Sequence, residues 1–78
     1  MFYTYVLKSI KDEKLYIGFT DDLSKRFFEN QKGQVISTRD RRPLKLVYYE
    51  ACHDKYKALD REKYFKTGFG RKFLENRI

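Results

Sequence analysis

The sequence predicts an α+β fold: a small three-stranded antiparallel sheet with helices packed on it, in β-β-α-β-α order. Three observations carry this expectation. Two segments rich in aromatic and β-branched residues flank a tight polar turn near the start of the chain, which marks a β-hairpin. A capped helical segment, a third strand-like run and a second capped helix follow it. Strands and helices therefore do not alternate strictly, which separates this pattern from a doubly wound sheet.

Residues 2–9 form the first expected strand and residues 15–20 the second, joined by the polar residues 10–14. Thr20, Asp21 and Asp22 are N-cap candidates for a helix that runs to about Gln31 and stops before Gly33, with Leu23 and Phe27 as its apolar stripe. Residues 34–43 read as a polar loop carrying Arg39, Arg41 and Arg42. Residues 44–52 are the third strand. Asp54 caps the second long helix, which ends near Gly68, and residues 70–78 are a basic tail with one or two further helical turns. No repeat, linker or low-complexity stretch interrupts this series.

Seventy-eight residues make one small domain, 1–78, with a thin core. Seven Phe and seven Tyr compensate, since each buries a large area from one position. No run of eighteen apolar residues exists, which excludes a membrane-spanning helix. The N-terminus lacks the features of a signal peptide, and Cys52 is the single cysteine, so the chain reads as cytosolic. Eighteen Lys and Arg against eleven Asp and Glu give a net charge of +7, a bias towards a polyanionic partner, with nucleic acid foremost.

Four residues stand out as candidates for chemistry. Glu62 lies in the helical stretch 55–66, between Ala58 and Leu59 on the wheel and on the side of Phe65, which is the apolar face. A carboxylate placed there loses water and requires a cation, a donor or a metal in return. A salt bridge to a neighbouring Lys or Arg and a hard divalent cation such as Mg²⁺ are two ways to supply it. With a hairpin loop of residues 10–13, Tyr5 faces Gly18 and Tyr16 faces Leu7, so the two phenols are diagonal neighbours on one face of the sheet. Arg26 sits about 60° from Leu23 at the border of the buried helix face, where it either clamps a phosphate or snorkels to solvent. Asn30, one turn further on, stands nearer the apolar centre.

Other chemistries have no support. Neither a CxxC, an HExxH nor a clustered-His pattern is present, which excludes a structural transition-metal site. The absence of a GxxxxGK[ST] motif excludes P-loop nucleotide hydrolysis and a nucleotide cofactor of that kind. Cys52 and His53 are adjacent at a strand end, where side chains diverge, so they read as a buried thiol and a loop histidine rather than a nucleophile pair.

These residues resemble the GIY-YIG nuclease superfamily, and especially its small standalone bacterial members. That group is related to the nuclease domain of the bacterial excision-repair endonuclease and to certain homing endonucleases. The "YIG" element is intact as Tyr16-Ile17-Gly18, while the "GIY" element reads Tyr3-Thr4-Tyr5 and keeps only its last tyrosine. Arg26 follows ten residues after Tyr16. Ser37-Thr38, then Arg41-Arg42-Pro43-Leu44-Lys45-Leu46-Val47-Tyr48-Tyr49-Glu50, Ala58-Leu59-Asp60-Arg61-Glu62-Lys63 and Gly68-Phe69-Gly70-Arg71-Lys72-Phe73-Leu74 match blocks of the standalone group in order. The resemblance spans essentially the whole chain.

It implies divalent-metal-dependent cleavage of DNA phosphodiester bonds, in DNA repair or recombination, with Mg²⁺ or Mn²⁺ as the one ion. Glu62 would hold that ion, Arg26 would stabilise charge on the scissile phosphate, and Tyr5 and Tyr16 would position or activate the attacking water. Lys25, Asn30, Arg39, Arg41 and Arg42 would contact the nucleic acid, giving binding that is weakly sequence-specific and strongly salt-dependent. Asn30 stands where many active relatives carry a histidine, and it cannot shuttle a proton at neutral pH. Two alternatives follow: a nucleic-acid-binding module with little turnover, and a subunit active only with a protein partner.

Overall fold

A computed structural model of the chain describes residues 1–78. Strands β1 (Phe2–Ser9), β2 (Leu15–Thr20) and β3 (Leu44–Cys52) form one antiparallel sheet in the order β2-β1-β3. Helices α1 (Leu23–Gln31), α2 (Ile36–Arg39), α3 (Lys55–Phe65) and α4 (Gly68–Glu75) complete the chain. The expected α+β class, sheet and β-β-α-β-α order are present. No helix is long and apolar enough to cross a membrane.

Hairpin register follows from its turn. The Ser9 amide bonds the Lys14 carbonyl at 3.0 Å, and this pairs Tyr5 with Gly18 and Leu7 with Tyr16, as the four-residue loop requires. Central in the sheet, β1 is covered on both faces, so Thr4 to Leu7 are all buried instead of alternating. Tyr5 and Leu7 pack with Leu44, Tyr16, Leu46 and the Leu23 and Phe27 stripe of α1. Val6 packs on the opposite face with Phe65 and Leu74 of α3 and α4. A bulge opposite Val6 and Leu7 lets Val47 and Tyr48, neighbours in sequence, both join that second cluster.

Of the three N-cap candidates before α1, Asp22 is the one used, accepting from the Lys25 amide at 3.1 Å. Asp54 caps α3, accepting from the Tyr56 and Lys57 amides. The α3 helix is held against β3 by Arg61, whose guanidinium makes a two-pronged contact with Glu50 at 2.9 and 2.7 Å. The same guanidinium lies over the rings of Tyr64, Phe65 and Phe73.

Three expectations need correction. Residues 34–43 are not all loop, because α2 makes one helical turn there; Thr38 is buried and donates to Asn30 Oδ1 at 2.6 Å, a tertiary bond that a short polar segment does not advertise. The helix from Asp54 ends at Phe65 and α4 begins at Gly68, earlier than the expected tail. Thr67 makes that break: its hydroxyl donates to the Tyr64 carbonyl at 2.6 Å and accepts from the Gly70 amide at 3.1 Å. Finally, Cys52 is half-buried rather than buried, with its sulfur accepting from the Asp54 amide at 3.4 Å.

Candidate active site

The two tyrosines reach one face of the sheet because β1 and β2 are paired in the register described, and the α1 helix brings Arg26 over them. A cleft of about 300 Å³ opens there, lined by Tyr5, Tyr16, Gly18, Arg26, Asn30, Thr38, Leu59 and Glu62 among others. Five of the residues singled out in the sequence thus share one cavity. Glu62 comes from α3, which packs on the other face. It gains access because β2 is an edge strand: Ile17 and Phe19 of β2, together with Leu59 and Glu62, complete the cleft wall.

Arg26 does not snorkel away. Its Nε donates to the Tyr5 hydroxyl at 3.3 Å, and its Nη1 lies 3.5 Å from Glu29 Oε1. The Tyr5 oxygen and then Glu29 hold the guanidinium pKa above its ordinary value, so it is a permanent cation at the cleft. Its side chain remains 40% exposed, and its open side can meet an anionic ligand.

Tyr16 is tied differently. Its hydroxyl donates to Asp12 Oδ2 at 3.3 Å, and Arg41 Nε lies 3.5 Å from the same oxygen. The Lys14 backbone N–H is the chief cause of a lowered Asp12 pKa, with Ser9, Tyr16 and Arg41 adding to it. Asp12 is a residue that sequence reading missed, because a turn aspartate between lysines reads as solvated loop.

Glu62 is half-buried rather than buried. Its carboxylate is 21% exposed and pairs with Lys66 Nζ at 3.3 Å, while Lys66 is 55% exposed. An i,i+4 pair with so exposed a partner is weak and readily exchanged. No cluster of three or more His, Cys, Asp or Glu stands ready for a metal. Glu62 is the one carboxylate lining the cleft. A single carboxylate suits Mg²⁺ or Mn²⁺ in the way hard cations bind when water and substrate phosphate supply the remaining oxygens. That one carboxylate fits such an ion only together with those outside oxygens.

Asn30 departs most from expectation. It is 1% exposed, its Nδ2 donates to the Arg26 carbonyl at 2.9 Å, and its Oδ1 accepts from Thr38. Its carbonyl and one amide hydrogen are therefore committed inside the protein, where they join α1 to α2. Lys25, Arg39, Arg41 and Arg42, expected to contact phosphate, are not among the residues that line the cleft. Lys25 lines a second depression of about 370 Å³ with Phe2 and Lys55, and that depression shares Phe19 and Arg26 with the cleft. Arg39 is exposed, next to cleft-lining Thr38. Arg41 reaches the site through Asp12, and exposed Arg42 donates from Nε to the Arg39 carbonyl at 2.8 Å.

A family model, the GIY-YIG catalytic domain, matches residues 1–76. The UPF0213 protein CPE1444 of Clostridium perfringens is 46% identical over 67 residues, covering 85% of this chain and 71% of that protein. A UPF0213 protein of Bacillus pumilus is 44% identical over 66 residues, covering 83% and 66% respectively. The chain thus spans about two thirds of the length of these relatives. The solution NMR structure of the UPF0213 protein BH0048 from Bacillus halodurans aligns with a TM-score of 0.59 and 30% identity, over 97% of this chain and 84% of that one. Similarity of this extent, on a fold shared with a solved relative, means that the chain belongs to the GIY-YIG catalytic domain family, a family of nucleases.

Proposed function

We propose that this protein is an endonuclease that hydrolyses DNA phosphodiester bonds with one divalent ion, Mg²⁺ or Mn²⁺. The observation that carries this reading is the convergence of Tyr5, Tyr16, Arg26 and Glu62 on one cleft. Arg26 is a fixed cation with an open side, suited to the non-bridging oxygens of a phosphate as charge builds on them. Tyr5, whose hydroxyl meets that cation, and Tyr16, which lines the same cleft, would align a water for in-line attack. Glu62 would exchange Lys66 for the ion. When bound, the ion supplies Lewis-acid polarisation of the phosphate. Lys25, Arg39, Arg41 and Arg42, none of which lines the cleft, would hold the flanking backbone, a contact that reads little sequence.

A second reading is a binding module with this fold and little turnover. Asn30 favours it: the residue offers no titrating group beside Arg26, and the lone histidine, His53, is exposed at the β3–α3 junction. A third is a nuclease subunit that needs a protein partner. Nicking of supercoiled plasmid by the purified protein in Mg²⁺, in Mn²⁺ and in EDTA tests these readings. Metal-dependent nicking supports the enzyme. A salt-sensitive gel shift that ignores EDTA, without nicking, supports the module.

A further inference from the structure

The two phenols of the cleft have opposite hydrogen-bond roles. Tyr5 accepts a bond from Arg26, whereas Tyr16 donates one to Asp12. Tyr16 lines the cleft and Asp12 does not, so the carboxylate accepts the phenol's hydrogen bond from outside the cleft.

Asp12 is itself built into place. Its Oδ1 accepts from the Lys14 amide at 2.9 Å, which leaves Oδ2 turned to Tyr16 and Arg41. Its own amide and that of Lys11 bond the Ser9 hydroxyl oxygen, and that hydroxyl donates to the Arg41 carbonyl at 2.7 Å. Ser9 is fully buried, and the Ile10 amide bonds the Pro43 carbonyl at 2.9 Å. The hairpin turn is thereby fastened to the segment before β3, with the Asp12 carboxylate fixed behind the Tyr16 ring.

We propose that Asp12 is a positioning residue for Tyr16: by holding the phenol proton away from the cleft, it presents the phenolic oxygen to the attacking water as a hydrogen-bond acceptor. This role rests on the nuclease reading. Asp12 takes no proton in the reaction and touches no substrate. A hydroxyl has one hydrogen and two lone pairs, so a donor bond anchored behind the ring fixes which of them face the cleft.

Asp12→Asn tests this without dismantling the turn. The Lys14 amide keeps an oxygen at the Oδ1 position, which puts the new NH₂ at the Oδ2 position. A donor then faces the Tyr16 hydroxyl, and the bond must reverse. The expected result is a fall in kcat for nicking of about tenfold or more, as for other partners that orient a reacting group, with no rise in KM for DNA, since the change also frees Arg41 from its pairing with Asp12. In a Tyr16→Phe background the same substitution is expected to change kcat no further. In the free protein, labelled at tyrosine, the Tyr16 ¹³Cζ resonance is expected to move on Asp12→Asn while that of Tyr5 stays. Equal loss of rate in both backgrounds, or an unmoved Tyr16 resonance in an active enzyme, overturns the role of Asp12 alone. A wild-type protein inert with every divalent ion overturns the nuclease reading and this role with it.

Discussion

The ring of Tyr5 lies across Gly18 on the neighbouring strand. The two are directly paired in the β1–β2 ladder, and a Cβ on Gly18 would overlap the phenol. This is why a glycine suits the strand at this point. Tyr5 is 6% exposed and has nowhere cheap to move. Gly18→Ala is therefore expected to cost about 1–3 kcal/mol of stability through overpacking. It is also expected to break the contact between Tyr5 and Arg26. Urea denaturation checks the first effect and a nicking rate the second.

Asn30 and Thr38 make the second prediction. Asn30→Ala leaves the Thr38 hydroxyl and the Arg26 carbonyl without their partner in a buried place. The expected loss is about 1–3 kcal/mol, the usual penalty for stranded polar groups. Because the Asn30 amide is committed inside the protein, the DNA affinity of the folded variant should match that of wild type. A weaker affinity at every salt concentration, from a variant that remains folded, would mean that Asn30 contacts phosphate after all.

Glu50 and Arg61 give the fold a pH dependence. The paired guanidinium, assisted by the Tyr48 hydroxyl at 2.8 Å, holds the Glu50 carboxyl below its ordinary range. Its folded value lies below its unfolded one, so the stabilisation is present above the ordinary carboxylate range and is lost as pH falls through the depressed value. Glu50→Gln is expected to cost about 1–2 kcal/mol at pH 7, since the contact is partly exposed. Wild type and variant should converge in denaturation experiments in acid. A gap that stays constant from neutral pH into acid would show that charge plays no part.

Phosphate contacts predict the salt response. Replacing Lys25, Arg39 or Arg42 by Ala should weaken DNA binding uniformly across sequences and lower the salt slope by about one for each contact removed. Arg41 has first to exchange Asp12 for a phosphate, so its removal is expected to weaken binding less. Titrations at several salt concentrations check the order.

Much of this architecture was legible in the chain. The hairpin register follows from a four-residue turn, and the diagonal placement of Tyr5 and Tyr16 follows from that register. Asp22 and Asp54 are capping residues followed by apolar helix positions. Tertiary contacts explain what was missed. The single turn of α2 is too short for any periodicity, and Thr38 owes its burial to Asn30. Asp12 owes its importance to Tyr16 and Arg41, neither of which its neighbours in sequence reveal. Glu62 was read correctly on the wheel, between Ala58 and Leu59, but the wheel carries no knowledge of where the sheet ends. Since β2 is the edge, that side of α3 faces a cleft at Glu62 and not the core.

Glu62 is therefore the residue on which the proposed activity turns. Wild type and Glu62→Gln, purified side by side, should be assayed on supercoiled plasmid across a titration of Mn²⁺. Metal-dependent nicking by wild type is expected, with its loss by about a hundredfold or more in the variant and DNA binding in EDTA unchanged. Equal nicking by both proteins at every metal concentration would contradict this expectation and return Glu62 to the role of a helix-surface partner for Lys66.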